Sequence, residues 1–138
     1  DRKTNKEFYF WNTHFDHRSQ PSREKSALLI NKRVAALQTK LPVILVGDFN
    51  AVAKANRAYD TLTTTGGFKD TFVSAKEKVN ADWNTFNSFR KTNKGKRRID
   101  WILTKGPVKT DHTEIVLFDE TKQLPSDHQP VTALLWLE

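Results

Sequence analysis

The sequence predicts an α/β fold in which helices cover one face of a mixed sheet. Residues 8–15 are rich in the aromatic and Thr side chains that favour strands, and residues 43–46 form a continuous apolar run typical of a fully buried strand. Between them, apolar residues recur at helical spacing: Ala27, Ile30, Val34, Leu37 and Leu41. We expect Pro42 to end this helix and the two strands that it joins to be parallel.

The pattern changes in the second half of the chain. A second helix is predicted over about residues 55–64, and Gly66-Gly67 should end it. Beyond it, four strand-like segments follow one another with only loops between them, at residues 85–89, 99–104, 114–118 and 131–137. Short connections of this kind favour antiparallel pairing.

Length and composition predict a single domain over residues 1–138, and they exclude several classes of protein. No apolar run approaches the roughly 20 residues that a membrane-spanning helix needs. The chain contains no Cys, which excludes disulfides, thiolate nucleophiles and Cys-based metal sites. It also contains no Met and begins in a turn-like segment at Asp1, which suggests a piece of a longer protein. Nothing in the sequence indicates a cellular compartment.

Positive charge is concentrated in one segment, residues 90–98, although the whole chain has a formal charge of +7. The segment contains no acidic residue, and its basic side chains are Arg90, Lys91, Lys94, Lys96, Arg97 and Arg98. The lysines could simply keep the tip of a hairpin solvated. Alternatively, the segment could attract a phosphate ester or a nucleic acid.

Polar residues follow the apolar parts of the first two predicted strands. Asn12 and His14 continue the face of the first strand that Phe10 begins, because side chains alternate along a strand. Asp48 and Asn50 directly follow the buried strand. Ligands of open α/β sheets bind at the carboxyl ends of the strands, so these four polar side chains are candidates for a site.

The later strands reverse direction and should add residues to the same edge of the sheet. Asp100 stands at the start of one of them, and Ser126-Asp127-His128 precedes another. Each segment alone could merely cap a turn. Together, the carboxylates and carboxamides offer the oxygen ligands that Mg²⁺ prefers, while imidazoles can move protons. The combination predicts metal-assisted hydrolysis of a phosphoester.

A zinc hydrolase is the competing interpretation, because His14-Phe15-Asp16-His17 resembles the short His-rich loop of such enzymes. His14 and His17 would be zinc ligands. The additional upstream His of those sites is absent, and only His112 and His128 remain to complete the shell.

Four motifs, in their order and spacing, resemble the endonuclease/exonuclease/phosphatase superfamily, which includes deoxyribonuclease I and the exonuclease-type apurinic endonucleases. The resemblance covers nearly the whole chain. The motifs are Asn12-Thr13-His14-Phe15-Asp16-His17, Gly47-Asp48-Phe49-Asn50-Ala51, Arg98-Ile99-Asp100-Trp101-Ile102 and Ser126-Asp127-His128-Gln129-Pro130-Val131.

The resemblance implies a role for each matching residue in a phosphoesterase that depends on Mg²⁺ or Mn²⁺. Asp48 would orient or deprotonate the attacking water, and Asn50 would hold the scissile phosphate. His14 would contact that phosphate and stabilise the transition state. His128 would be the active-site histidine, which Asp100 would hold in orientation.

The resemblance also implies ligands for the metal and contacts for the substrate. Asp127, Asp48 and Asn50 would bind the metal. Asn12, Arg98 and Asn87 would contact the substrate, which is a phosphate ester and could be a nucleic acid. For Arg98 and the aromatic segment 83–87, packing in a turn or core is the alternative.

The resemblance implies half of a four-layer α/β sandwich, because the superfamily fold is roughly twice this size. The match begins midway, and no residue before His14 fits the Glu that is a principal metal ligand in the first half; Glu7 lies in the first predicted strand. We therefore expect the carboxyl-terminal half of the domain, with one sheet face that an amino-terminal half or self-association covers. The alternative is a non-catalytic half-domain without that Glu.

Overall fold

The first sheet is mixed and has helices on one face. The computed structural model describes residues 1–90, 94–118 and 123–138. In spatial order the strands are β1 (Tyr9–His14), β2 (Val43–Asp48), β5 (Asp100–Lys105) and β3 (Lys69–Asp70). β1 and β2 are parallel and joined by α1 (Gln20–Ala36), whereas β5 and β3 are antiparallel to their neighbours. The predicted α/β class and the parallel pair are confirmed.

Helix α1 is shorter than predicted. The Ser19 hydroxyl caps its first turn by accepting a hydrogen bond from the Ser22 amide, and three residues of the predicted stripe are buried against the sheet: Ala27, Ile30 and Val34. The helix ends at Ala36 because Gln38 adopts a left-handed backbone conformation with φ of 46°. Leu41 lies outside the helix and is exposed, so the prediction that the helix continues to Pro42 is wrong.

A second helical segment follows β2 and ends at Gly66, as predicted. It comprises α2 (Arg57–Asp60) and a π-helical turn (Thr61–Thr65), and Asn56 caps it by accepting a hydrogen bond from the Ala58 amide. A short helix, α3 (Thr71–Ser74), follows β3. In the part of the chain that the structure describes, no helix has the length and apolar character needed to cross a bilayer.

A second sheet contains β4 (Glu77–Val79), β6 (Val108–Ile115) and β7 (Val131–Leu137), in that order. β6 and β7 are antiparallel as predicted, but β4 pairs with β6 in parallel. β6 begins at Val108 rather than at residue 114 and ends at Ile115. Its start was missed because polar residues and a bulge between Thr110 and His112 interrupt the apolar alternation.

Residues 85–89 are not a strand, contrary to prediction. Only Phe86 forms an isolated bridge, with His128, in this described segment. Ser88 and Phe89 have φ of 56° and 57°, which no strand accommodates. The basic segment that follows is described only in part, because Lys91 lies outside the described residues.

The main core lies between the helices and the first sheet. Phe49 stacks on Trp101 with ring centroids 4.2 Å apart, and Phe15 meets Phe49 edge to face. The opposite face of the sheet is much more open: Phe10 is 61% exposed. β2 therefore ends between a packed core on one side and an open face on the other, and the candidate site lies at this end.

Candidate active site

The ends of β1 and β2 bring His14 and Asp48 together. The parallel register places these two residues opposite each other, and His14 Nε2 lies 3.3 Å from Asp48 Oδ2. Gly47 allows the two strands to approach closely: its φ is 147°, and an added Cβ would lie 1.8 Å from the Thr13 carbonyl oxygen. The backbone itself therefore sets the spacing of this pair.

Asn50 completes the first group of side chains. Its backbone is left-handed, with φ of 48°, and its amide donates to Asp48 Oδ1 over 2.7 Å. Its side-chain nitrogen lies 3.1 Å from Asp48 Oδ2, 3.0 Å from the Phe15 carbonyl oxygen and 3.2 Å from His14 Nε2. This local turn of Asp48 is a common use of Asp and Asn at strand ends, and here it fixes three polar side chains as one group.

Asp100 and His128 form the second group. Asp100 is the first residue of β5 and lies opposite Asp48 in the antiparallel register. His128 Nδ1 lies 3.1 Å and 3.0 Å from the two carboxylate oxygens of Asp100, and its Nε2 lies 3.9 Å from Asp48 Oδ2. One ligand atom from each of Asp48, Asp100 and His128 fits within 4.8 Å of the other two.

Burial and charge alter the pKa values of the Asp100–His128 pair. Burial raises the pKa of the Asp100 carboxyl, against hydrogen bonds from Thr85 and His128. Burial alone would lower the pKa of His128, but the hydrogen bond to Asp100 and the negative charges of Asp100, Asp48 and Asp127 raise it above the ordinary value. The pair is therefore suited to holding and moving a proton.

Apart from Asn50, the side chains of the two groups line one cavity at the edge of the first sheet. Its volume is about 490 Å³, and its lining residues are Asn12, Thr13, His14, Asp48, Asp100, Ser126 and His128. It adjoins an apolar groove of about 760 Å³ that shares Asp48, Asp100 and His128 and continues over Phe10 and Leu135. A charged ligand that enters the smaller cavity can thus reach the imidazoles and carboxylates.

The other predicted site residues lie apart from this cavity. Arg98 and Asn87 are buried, at 6% and 7% exposure, and Arg98 forms an ion pair with Asp70 inside the protein. The backbone carbonyl of Asp127 accepts hydrogen bonds from the Asn87 and Ser88 amides. Among the described residues, the carboxylate of Asp127 is not part of the group that could hold a metal. Roles for these residues stay predictions.

The loop that suggested zinc has a local structural use. Asp16 Oδ1 accepts hydrogen bonds from the Arg18 and Ser19 amides at the start of α1, and His17 Nε2 accepts one from Arg18 Nε. Within residues 1–90, 94–118 and 123–138, His17 belongs to no group that could hold a metal.

Two residues at the site had no predicted role. The Ser126 hydroxyl accepts a hydrogen bond from the His128 amide over 3.0 Å, and the Thr85 hydroxyl accepts from the Ile99 and Asp100 amides. The turn at Ser126 could have been identified from the sequence, because a Ser hydroxyl commonly accepts a hydrogen bond from the backbone amide two residues later. Thr85 carries no comparable signal, since its partners lie at residues 99 and 100.

Solved structures share this fold. A structure of an endonuclease/exonuclease/phosphatase from Bacteroides vulgatus is 35% identical, with a TM-score of 0.87, over 100% of this chain and 52% of that chain. A mannosyl-6-phosphatase from Bacteroides thetaiotaomicron is 29% identical, with a TM-score of 0.87, over 98% of this chain and 53% of that chain. The catalytic domain of human Nocturnin is 15% identical, with a TM-score of 0.70 over 99% and 50% of the two chains, and so shows the fold alone.

The chain spans about half the length of these similar proteins. No curated protein gives a significant match. The sequence profile of the Endonuclease/Exonuclease/phosphatase family matches residues 2–128, which include the first three motifs and the fourth as far as His128. With this match and the shared fold, the chain belongs to the Endonuclease/Exonuclease/phosphatase family.

Proposed function

We propose that this chain carries the catalytic carboxylates and histidines of a metal-dependent phosphoester hydrolase. The observation that carries the proposal is the convergence of Asp48, Asp100 and His128 within 4.8 Å in an open cavity, with His14 and Asn50 hydrogen-bonded around Asp48. Packing alone gives little reason to gather such groups at one edge of a sheet. The family match and the similarity to a mannosyl-6-phosphatase support the same chemistry.

In this proposal the two groups of side chains divide the work. Asp48 orients or deprotonates the attacking water, and Asn50 and His14 hold the phosphoryl group beside it. Asp100 holds Nδ1 of His128, which leaves Nε2 turned toward Asp48 to exchange a proton or to stabilise developing charge. The described cavity is lined by His14, Asp48, Asp100 and His128, and Asn50 is hydrogen-bonded to Asp48 beside it.

The donor set fits a hard divalent cation. The negative charge of Asp48 disfavours ionisation of Asp100 nearby, and a cation would offset this repulsion. We propose Asp48, Asn50 and Asp127 as ligands for Mg²⁺ or Mn²⁺. For Asp127 this requires its carboxylate, which among the described residues lies outside the group that could hold a metal, to turn toward Asp48. When bound, the ion would polarise a phosphoryl oxygen and stabilise its charge.

The test uses the full-length protein after removal of metal ions. Hydrolysis of an aryl phosphate monoester and an aryl phosphodiester should return with Mg²⁺ or Mn²⁺, and much less with Zn²⁺. Asp48→Asn should abolish most turnover, whereas Asp111→Asn is a matched control, since Asp111 pairs with Lys76 in the second sheet. Restoration by Zn²⁺ alone would favour the zinc hydrolase. Absence of turnover with every metal would favour the non-catalytic alternative.

The basic segment makes nucleic acid a second candidate substrate, although Lys94 is already 3.0 Å from Asp82. Replacing Lys91, Lys94 and Lys96 by Gln should weaken oligonucleotide binding. It should also lower the slope of log affinity against log salt by about 0.7–0.9 for each phosphate that the protein no longer neutralises. An unchanged slope would favour a small phosphate ester as substrate.

The apolar groove beside the cavity is proposed as the surface that the rest of the protein covers. Phe10 and Val131 line it, and the similar solved proteins are about twice as long as this chain. We expect residues 1–138 alone to self-associate and the longer protein to be less prone to do so. Sedimentation of both forms tests this, and a monodisperse monomer of residues 1–138 would contradict it.

A further inference from the structure

Thr85 lies where the segments that carry Asp100 and His128 meet. Its side chain is fully buried, with 0% of the residue exposed. Its backbone amide donates to the Arg97 carbonyl, and its own carbonyl accepts from the Gln129 amide over 2.7 Å. Thr85 therefore connects Arg97, which precedes β5 and Asp100, to Gln129, which directly follows His128.

The Thr85 hydroxyl supplies an acceptor that the sheet lacks. It accepts hydrogen bonds from the Ile99 amide over 3.0 Å and from the Asp100 amide over 3.3 Å. The neighbouring strand β3 pairs with β5 only at Leu103 and Thr104, so it does not reach the start of β5. The hydroxyl thus takes the place of a strand carbonyl at the point where β5 begins.

The segment that begins at Thr85 also contacts His128. The residues after Thr85 hold the histidine: Phe86 bridges to His128 with ring centroids 5.0 Å apart, and the Asn87 amide donates to the Asp127 carbonyl over 2.8 Å. The segment therefore contacts both members of the pair.

We infer that Thr85 is a positioning residue: its hydroxyl fixes the backbone at Asp100, and the Asp100 carboxylate in turn fixes the ring of His128. This inference rests on the proposed hydrolase. The orientation and tautomer of an imidazole are set by the partner of its other nitrogen, so an error in the placement of Asp100 passes directly to His128 Nε2.

The test compares three variants of the full-length protein. Thr85→Val removes the hydroxyl at nearly constant volume and should lower kcat by about 10²-fold with little change in KM, because a displacement of about 1 Å has effects of that order. Thr85→Ser keeps the hydroxyl and should retain most activity. Thr113→Val is the control: Thr113 is equally buried, and its hydroxyl donates to the Thr132 carbonyl in the second sheet. Full activity in Thr85→Val, or equal losses in the Val and Ser variants, would overturn the inference.

If Thr85→Val does not fold, the inference is tested with a second pair of variants, Thr85→Ser and Thr85→Ala. These two side chains differ only in the hydroxyl. Ala should lower kcat far more than Ser, and in an Asp100→Ala background it should cause little further loss. A full additional loss in that background would overturn the inference, because Thr85 would then not act through Asp100.

A measurement without substrate separates this inference from the proposed function. Long-range ¹H–¹⁵N spectra of the metal-free protein, recorded at a pH above the raised pKa of His128, report which nitrogen of the neutral ring carries a proton. The wild type should show a proton on Nδ1, directed to Asp100, and Thr85→Ala should shift the signals toward the tautomeric average of a free imidazole, whereas Thr113→Val should not. Lack of phosphoester turnover by the wild type would refute the proposed function, while unchanged signals in Thr85→Ala would refute the positioning role.

Discussion

The two groups of side chains in the candidate site are held in different ways. His14, Asp48 and Asn50 are placed by strand register and by a turn, and their contacts with one another lie within one strand–helix–strand unit and the turn that follows it. Asp100 and His128 are far apart in sequence and are brought together by an irregular segment around Thr85. Strand register and one turn thus secure the first group, whereas the second depends on contacts among the start of β5, the loop of His128 and the segment around Thr85. The second group should therefore be easier to displace without unfolding the sheet.

The largest expected effect is on turnover. A substitution of Asp48 sharpens the comparison because it removes one carboxylate from the first group. Asp48→Asn should reduce kcat by about 10²–10⁴-fold, the usual cost of losing a general acid–base group. The sheet should stay folded, because Asp48 ends β2 outside the apolar core. Steady-state kinetics and far-UV circular dichroism check this. Turnover close to that of the wild type would contradict the role of Asp48.

The same experiment applied to the second group uses His128→Ala. A loss of about 10²–10⁴-fold in kcat is expected here too, with retained folding. Because the ring of His128 packs against Phe86, this variant should also loosen the segment that contains Phe86. Hydrogen exchange of the amides of residues 85–87 measures that loosening. Wild-type exchange rates in this variant would show that the segment is held without the histidine.

A substitution of Arg98, two residues before Asp100, tests what supports the second group. Arg98 pairs inside the protein with Asp70, which also accepts hydrogen bonds from Tyr59 and from the Phe72 amide. Arg98→Met leaves Asp70 buried without its cation and should lower the free energy of unfolding by about 3–5 kcal/mol. Urea denaturation gives this value. Unchanged stability with a raised KM would instead support Arg98 as a substrate contact.

A substitution of Gly47, the residue before Asp48, tests how strictly the strand register holds the first group. Gly47→Ala places a methyl group against the Thr13 carbonyl and should cost about 3 kcal/mol, with loss of the His14–Asp48 contact. Gly67→Ala is the control: its φ is also positive, at 71°, but an added Cβ meets nothing within 4 Å, so only about 1–2 kcal/mol is expected. Equal losses of unfolding free energy in the two variants would mean that the close approach of the strands is unimportant.

The smallest effect is expected in the second sheet, away from both groups. Glu77 accepts a hydrogen bond from His112 across β4 and β6, and Glu114 lies 3.6 Å from the other ring nitrogen. The hydrogen bond to Glu77 raises the pKa of His112 above its ordinary value. This interaction stabilises the fold fully below the unfolded pKa, about 6.5, and its contribution disappears as the pH rises through the higher folded pKa.

Thermal unfolding of the wild type and Glu77→Gln over a series of pH values tests this sign. The difference in stability between the two proteins should be largest at acidic pH, while the carboxylates are still ionised, and should shrink above neutrality. A difference that does not depend on pH would contradict the assignment. Site activity should be unaffected, because Glu77 does not line the cavity.

The sequence predicted the first group well because its geometry follows from short-range rules. A period of two placed Asn12 and His14 on one face of β1, and the apolar run of residues 43–46 located the strand that ends at Asp48. The reversal of β5 then placed Asp100 at the same edge. Each step needed only local periodicity and the direction of a strand.

The second sheet and the support of the second group were missed for the opposite reason. β6 starts in a polar, bulged stretch, and residues 85–89 have the aromatic composition of a strand but left-handed residues at Ser88 and Phe89. Asn87 and Arg98 were expected at the substrate, yet their side chains are buried. Composition does not distinguish a polar side chain that faces a ligand from one that meets an internal partner.

What the sequence alone determined is the α/β class, the parallel pair, the residues at the ends of β1 and β2, and the family resemblance through four ordered motifs. Only the tertiary structure decided that Arg98 is buried against Asp70, and that Thr85 supports the Asp100–His128 pair that the resemblance implied. The first set depends on patterns repeated along the backbone within a few residues. The second depends on single contacts between segments without periodicity, and such contacts exist only once the chain has folded.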